Sequence, residues 1–364
     1  MQSPIDYFSK LNDPRVDRTK DHLLADIIFI TIAAVICGAE SWNDIENYGK
    51  AKEAWLKQFL KLPNGIPSHD TFNRLYSALD ATELESCFIE WVKAVSNITE
   101  GEVVCIDGKS IRGSRKSGSQ SIVHMVSAWA EQNRLSLGQV KVDDKSNEIT
   151  AIPKLLEVLS IKGCIVTIDA MGCQTEIAEK IREKGADYIL AVKGNQGSLE
   201  EGLKDTIKFS KPISVHESLD AGHGRIETRI CSVYTDFSHI DNFTRWKDAQ
   251  CVVKIDSHRF FKSSGKEEAE TRLYISSLLP DATILEKSIR AHWAIENSLH
   301  WVLDVAFHED SSMKTNPNAV HNFSIINRIA LNLITNDDSK KRSIKGKRLD
   351  AGWDNEYLLK ILKI

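Results

Sequence analysis

Two aspartates close short apolar runs of strand character, Glu102-Val-Val-Cys-Ile-Asp107 and Cys164-Ile-Val-Thr-Ile-Asp169, and small residues follow each, Gly108 in one case and Ala170-Met-Gly172 in the other. In α/β sheets, functional groups collect where strands end. One such Asp is most often a turn former or helix cap, whereas two alike point to a site. A third carboxylate comes from a helical wheel over Leu285 to His308. It predicts Glu296 on the midline of an apolar face made by Ile289, Trp293, Ile295, Leu299, Val302, Leu303 and Phe307, with His292 and His300 one turn either side. A carboxylate buried there needs donors or a cation. Either the two histidines satisfy it or it is a functional acid. Three Asp/Glu from separate segments, without a cysteine cluster, suit a hard cation such as Mg²⁺ or Mn²⁺. The matching chemistry is in-line phosphoryl displacement, with a water or hydroxyl as nucleophile.

Basic residues lie close to these acids. Lys109, Arg112, Arg115 and Lys116 follow Asp107, and Lys193 precedes the turn Gly194-Asn195-Gln196-Gly197, whose backbone is able to approach a phosphate. In His223-Gly-Arg-Ile-Glu-Thr-Arg229, the residues Arg225, Glu227 and Arg229 alternate with Ile226, Thr228 and Ile230, the pattern of an edge strand with one wet face. For each of these cations, a solvated loop or strand face is the competing reading. Trp293 and Trp301 either belong to the core or stack on a base.

The elements that must position these groups are legible in outline. A length of 364 residues predicts two or three structural units, and 42% hydrophobic with 27% charged residues excludes a disordered or collagenous chain. The net charge of −4 announces no whole-molecule attraction to nucleic acid, so DNA contact has to come from local patches. Seven cysteines without a C-x-x-C pair read as reduced, buried thiols rather than a zinc cluster. The apolar stretch Ile27 to Ala39 falls short of the roughly 20 residues a membrane span needs, and reads as a core helix. No secretory signal is evident, so cytoplasmic residence, nucleoid-associated when on DNA, is expected, with no membrane partner.

Residues 1–97 read as all-helical: a helix from Leu23, another over Ala51 to Leu62, and a third capped by Ser68 with Phe72, Leu75, Tyr76 and Leu79 on its buried face. Its other face, His69, Asn73, Arg74 and Ser77, is either solvated or reads DNA. The connection is longer than a helix-turn-helix allows. Residues 98–340 alternate strand and helix signals in an α/β pattern, interrupted by a β-rich insertion at about 198–285. A basic tail, 341–364, follows.

The segments Cys105-Ile-Asp-Gly-Lys-Ser-Ile-Arg-Gly-Ser114, Thr167-Ile-Asp-Ala-Met-Gly-Cys-Gln174, Val192-Lys-Gly-Asn-Gln196, His223 to Arg229 and His292-Trp-Ala-Ile-Glu-Asn-Ser-Leu-His-Trp-Val-Leu-Asp-Val-Ala-Phe-His-Glu-Asp310 together resemble bacterial insertion-sequence DDE transposases, of the ISAs type related to the H-repeat-associated proteins of Rhs elements. The resemblance covers nearly the whole chain. It implies an RNase H-like catalytic domain with a helical N-terminal companion, and a catalytic, metal-binding triad at Asp107, Asp169 and Glu296. It further implies Mg²⁺ or Mn²⁺, two ions, as cofactor, and terminal inverted repeats and target DNA as partners of a homodimer. The reaction implied is cleavage at the element ends, then strand transfer. A silent DNA-binding remnant, or a nuclease without strand transfer, is the alternative. Relatives carry Tyr-x-x-Arg-x-x-x-Glu with a later Lys, where this chain has Ile289, His292 and Leu303. His292 and Arg290 are the substitutes expected at DNA, and Lys109, Arg112, Arg115, Lys193, Asn195, Arg225, Arg229 and His300 complete the expected DNA contacts.

Overall fold

A computed structural model describes residues 3–115, 122–143, 146–222 and 224–364, so Lys116 and His223 lie outside the described residues. After one helical turn at Ile5–Phe8 come four longer helices: α1 (Leu24–Ile36), α2 (Trp42–Leu56), α3 (His69–Ala78) and α4 (Ala81–Val95). α1 is apolar all round and buried from Asp26 to Ile36, as a helix at the centre of a bundle must be. No helix among the described residues is long and apolar enough to cross a membrane. α2 begins nine residues earlier than the sequence suggests and ends at Leu56. A capping box fixes its start, with Ser41 accepting from the Asp44 amide and Asp44 accepting from the Ser41 amide.

Nine strands then form one sheet: β1 (Val103–Ile111), β2 (Val123–Ala130), β3 (Leu135–Lys141), β4 (Ile165–Ile168), β5 (Asp187–Val192), β6 (Ser214–Gly222), β7 (Arg225–Tyr234), β8 (Cys251–Phe261) and β9 (Glu267–Ser276). Their order is β3-β2-β1-β4-β5-β9-β8-β7-β6. β3, β2 and β1 are antiparallel, while β1, β4 and β5 run parallel through the crossover helices α5 (Glu148–Val158) and α6 (Thr175–Glu183). This is the RNase H-like arrangement that the motifs imply. After α7 (Gly197–Phe209), the β-rich segment joins the same sheet rather than forming one of its own, because β9 pairs antiparallel with β5.

The expected wet edge strand is corrected on two counts. β7 is internal, paired on both sides, and the edge is β6. Its polarity is also inverted: Glu227 is 2% exposed, while Ile230 on the other face is exposed. Three guanidiniums explain the inversion, with Arg229 at 2.8 Å and Arg259 at 2.9 Å from the Glu227 carboxylate and Arg225 at 4.0 Å.

The chain closes with α8 (Ala282–Ala291), a π-helical segment (Ile295–His300), α9 (Trp301–Ala306), α10 (Pro317–Thr335), α11 (Ile344–Trp353) and α12 (Asn355–Leu362). The stretch expected as a basic tail is therefore mostly helical. Arg348 is buried and donates to the Val35 carbonyl at 2.7 Å, and Lys347 donates to the Ile334 carbonyl at 3.2 Å. α10 packs on α1, α3 and α4 as well as on β3, so the N-terminal helices and the sheet share one core. The connection between α4 and β1 is pinned too. Glu102, fully buried, accepts from the Gln132 amide at 2.7 Å and from the Asn133 side chain at 2.7 Å. All seven cysteines are free thiols, and six are buried.

Lys314, just before α10, is 8% exposed; its Nζ donates to the Glu40 carbonyl at 2.6 Å and lies 3.5 Å from the Phe323 ring centre. Burial pushes its ammonium from 10.5 down to about 7, against the pull of Asp44 and Glu40. Between those values the unfolded chain holds a proton that the folded one lacks. Stability attributable to Lys314 therefore rises with pH across that window, and the burial cost is full below about 7. Lys314→Met is expected to raise the melting temperature near neutral pH, with the gain shrinking toward pH 10. Melts across that range decide it, and a gain independent of pH would refute the assignment.

Candidate active site

β1 and β4 are parallel neighbours with Ile106 opposite Ile168, so Asp107, midway along β1, and Asp169, just past the end of β4, stand side by side; β1 runs on to Ile111 rather than ending at the acid as the sequence pattern suggests. Asp169 also caps the turn that follows, accepting from the Met171 amide at 3.1 Å. That turn is clamped from the next strand's end: Asn195 Nδ2 donates to the Ala170 carbonyl at 2.6 Å and Gln196 Nε2 to the Cys173 carbonyl at 2.9 Å. Asn195 thus holds the Asp169 loop.

Glu296 comes from the segment between α8 and α9, where the helix widens to π geometry. Isolated π turns are uncommon and recur at functional sites. The uniform wheel is corrected here. Helical phase breaks after α8, and Glu296 is exposed rather than buried on an apolar face. Trp293 and Trp301 are exposed as well, at 39% and 60%. The segment's histidines do turn inward, toward β1 and β4. His300 Nδ1 lies 3.4 Å from Asp107 Oδ2, and His292 Nδ1 is 2.9 Å from the Thr167 hydroxyl. Both are engaged in positioning the segment.

Asp107, Asp169 and Glu296 line one cleft of about 630 Å³ together with Lys193, Lys204, Lys254, Arg272, His292 and Trp293. Burial works to raise Asp107, but the hydrogen bond and charge of His300, with His292, hold it below the usual carboxylate value. Asp169 is raised by burial and then by the charges of Glu148 and Asp107; Glu296 is raised by burial and then by Asp107. Burial also lowers His292, against the pull of Asp107. The cleft's acids therefore repel one another, and the charges of His300 and Arg272 offset that repulsion at Glu296 only in part. Among the described residues, no three His, Cys, Asp or Glu side chains stand close enough to hold one ion in this conformation. By charge and donor type, the oxygen-only set still fits a hard divalent cation.

The remaining expected DNA contacts divide. Lys193 is exposed at the cleft. Arg225, Arg229 and Arg290 line a second cleft, about 820 Å³, that also holds Arg259 and Lys287 and shares Trp293 with the first. Arg112 and Arg115 are exposed on the strand's far end. Lys109 is the clear correction. It is 7% exposed, and its Nζ lies 2.6 Å from Asp304, 3.0 Å from Asp310 and 3.6 Å from Glu309. It is an internal ion-pair partner, withdrawn from any phosphate.

Sequence reasoning missed Arg272, Lys254 and Glu148. Arg272 lies over the Trp293 ring, 5.1 Å from its centre, and bonds Glu270 at 2.7 Å. No local spacing marks it, because strand pairing alone carries β9 to β5. Glu148 begins α5, and its proximity to Asp169 depends on the crossover from β3.

Comparison with known proteins agrees with this geometry. The family described as "Transposase DDE domain" matches residues 98–333, and the one described as "DDE_Tnp_1-associated" matches residues 5–92. "Putative transposase YncI" of Escherichia coli O157:H7 is 42% identical over 100% of this chain and 95% of its own length. "H repeat-associated putative transposase YhhI" of E. coli K12 is 40% identical over 98% of this chain and 97% of its own. The cryo-EM structure of a piggyBac transposase synaptic complex with hairpin DNA aligns over 98% of this chain and 76% of that one, at 13% identity and a TM-score of 0.45, and the family assignment does not draw on it. With the family's domain spanning the sheet from β1 to α10 and relatives aligned over nearly their full lengths, the chain belongs to the DDE transposases.

Proposed function

We propose that this protein is an active transposase that hydrolyses DNA strands at the ends of its insertion element and joins the freed 3′-OH groups to target DNA. The observation that carries the reading is the meeting of Asp107, Asp169 and Glu296, from two parallel strands and a π-helical segment, in one cleft edged by lysine and arginine. Mg²⁺ or Mn²⁺ held by those three carboxylates, as two ions, would supply Lewis-acid stabilisation of the charge that develops on the phosphate oxygens. Asp107, kept ionised by His300, is the fixed anion of the site. Glu296, exposed to the cleft and raised by its neighbours, is suited to accept the proton of the attacking water or hydroxyl at a carboxylate oxygen. Lys193, Lys254 and Arg272 hold phosphates on either side of the scissile bond, and Trp293 offers a ring to an unpaired base. Arg225, Arg229 and Arg290 in the adjoining cleft carry the DNA backbone onward, with Arg112 and Arg115 on the other side. Both chemical steps are in-line phosphoryl transfers, so one centre serves both. Synapsis of two ends calls for a homodimer on DNA, acting in the cytoplasm at the nucleoid.

The test is to incubate purified protein and Mn²⁺ or Mg²⁺ with DNA carrying the native terminal repeats. Nicked ends together with joined products are expected. Nicking without joining would make the protein a nuclease, and a band shift without cleavage would make it a DNA-binding remnant.

A further inference from the structure

Glu148 lies outside the triad, yet the fold brings it to the same strand ends. Its Oε1 accepts from His124 Nε2 at 2.7 Å, and His124 Nδ1 is 2.9 Å from the Ser110 hydroxyl. A carboxylate only accepts, so Nε2 carries the imidazole proton, Nδ1 is the acceptor, and Ser110 donates to it. The chain of donors therefore runs one way, from Ser110 through His124 to Glu148, and it fixes the orientation of the carboxylate.

That carboxylate sits directly over the backbone beside Asp107. A Cβ built on Gly108 would lie 2.1 Å from Glu148 Oε1 and 2.7 Å from His124 Nε2. Gly108 does not have a positive φ, so a side chain added there would meet this pair rather than strain the backbone, and Glu148 would have to give way. Successive strand residues face opposite sides of a sheet. Asp107 faces His300 and the π-helical segment, whereas Gly108, Ser110 and His124 face α5. Glu148 thus approaches from the face opposite the one on which Asp107 meets the π-helical segment.

Resting on the function proposed above, we infer that Glu148, set against the backbone beside Asp107, is a fourth oxygen ligand of the catalytic centre, and that His124 and Ser110 are its positioning residues. Partners that orient a ligand in this way are worth about 10- to 100-fold in metal affinity when removed. The Asp-Gly pair at 107–108 then has one physical reason: an acid on one face, and room for a second acid on the other.

The readout is binding of Mn²⁺ itself, without DNA, followed by the electron paramagnetic resonance signal of the free ion and by calorimetry. Glu148→Gln keeps an acceptor for His124 and is expected to weaken one class of Mn²⁺ sites by about tenfold or more, with His124→Ala doing the same to a lesser degree. Gly108→Ala keeps every ligand residue but displaces Glu148, and the same class of sites should weaken. Melting curves in chelator identify any variant that fails to fold, and Glu148→Asp then replaces Glu148→Gln. Wild-type Mn²⁺ binding by all folded Glu148 and Gly108 variants would overturn this inference alone. Absence of Mn²⁺ binding by the wild-type protein, or binding indifferent to Asp107→Asn and Asp169→Asn, would overturn the reading on which it rests.

Discussion

Asparagine in place of Asp107 or Asp169, or glutamine in place of Glu296, is expected to lower DNA-strand cleavage by about 10³-fold or more, the equivalent of several kcal/mol of transition-state stabilisation. Each change keeps size and hydrogen-bonding shape while removing one negative charge from a cleft whose acids already repel one another. The melting temperature in chelator should therefore hold or rise slightly for Asp169→Asn and Glu296→Gln, because burial and like charge oppose ionisation at both positions. Asp107→Asn should behave differently, since His300 favours the Asp107 anion and loses a charged partner. Cleavage kinetics on a labelled repeat end, with melting curves beside them, measure both effects. A variant that retains more than about a tenth of wild-type cleavage would remove that residue from the centre, as one ordinary hydrogen bond is worth that much.

Lys109→Met is expected to cost about 3–5 kcal/mol of folding stability, although the position was read from sequence as a DNA contact. Its ammonium lies among Asp304, Glu309 and Asp310, and Glu309 itself is 3% exposed. Arg328, fully buried, covers the other Glu309 oxygen at 3.2 Å and reaches the Ser127 hydroxyl at 3.2 Å. Removing Lys109 leaves the buried Glu309 to Arg328 alone and takes the nearest cation from the part-exposed Asp304 and Asp310, which is the costly way to break a buried pair. Arg112, at the exposed rim of the same cluster and 3.6 Å from Asp310, should cost under about 1 kcal/mol on truncation. Denaturant titration of the two variants tests the contrast. Equal small losses would mean that the cluster is wet and that Lys109 is available to a ligand after all.

What the sequence revealed follows from how local each signal is. Asp107 and Asp169 were legible because an apolar run ending in an acid is a pattern contained in six residues. Glu296 was found through a wheel that assumed one uniform helix, and the π-helical segment is where that assumption fails; the residue is exposed to the cleft, not buried on an apolar face. The role of Lys109 was illegible, because its three partners lie about two hundred residues along the chain and only the return of α9 to β1 joins them. The alternation in β7 misled for a related reason. Period-two patterning assumes an apolar core, and here three arginines from two neighbouring strands make the inward face polar. Glu148 gave no signal because its neighbours at the site come from β1, β2 and β4, and no motif joins them to it.

The core that α10 shares between the N-terminal helices and the sheet makes the molecule a ruler. If α3 reads the element end, as its exposed Asn73 and Arg74 allow, the shared core sets the distance from that reading head to the scissile phosphate. The spacing must then be written into the DNA. About five base pairs added between the two would turn the cutting position to the far side of a helix that repeats every 10–10.5 pairs, and a rigid ruler has no means of following it round.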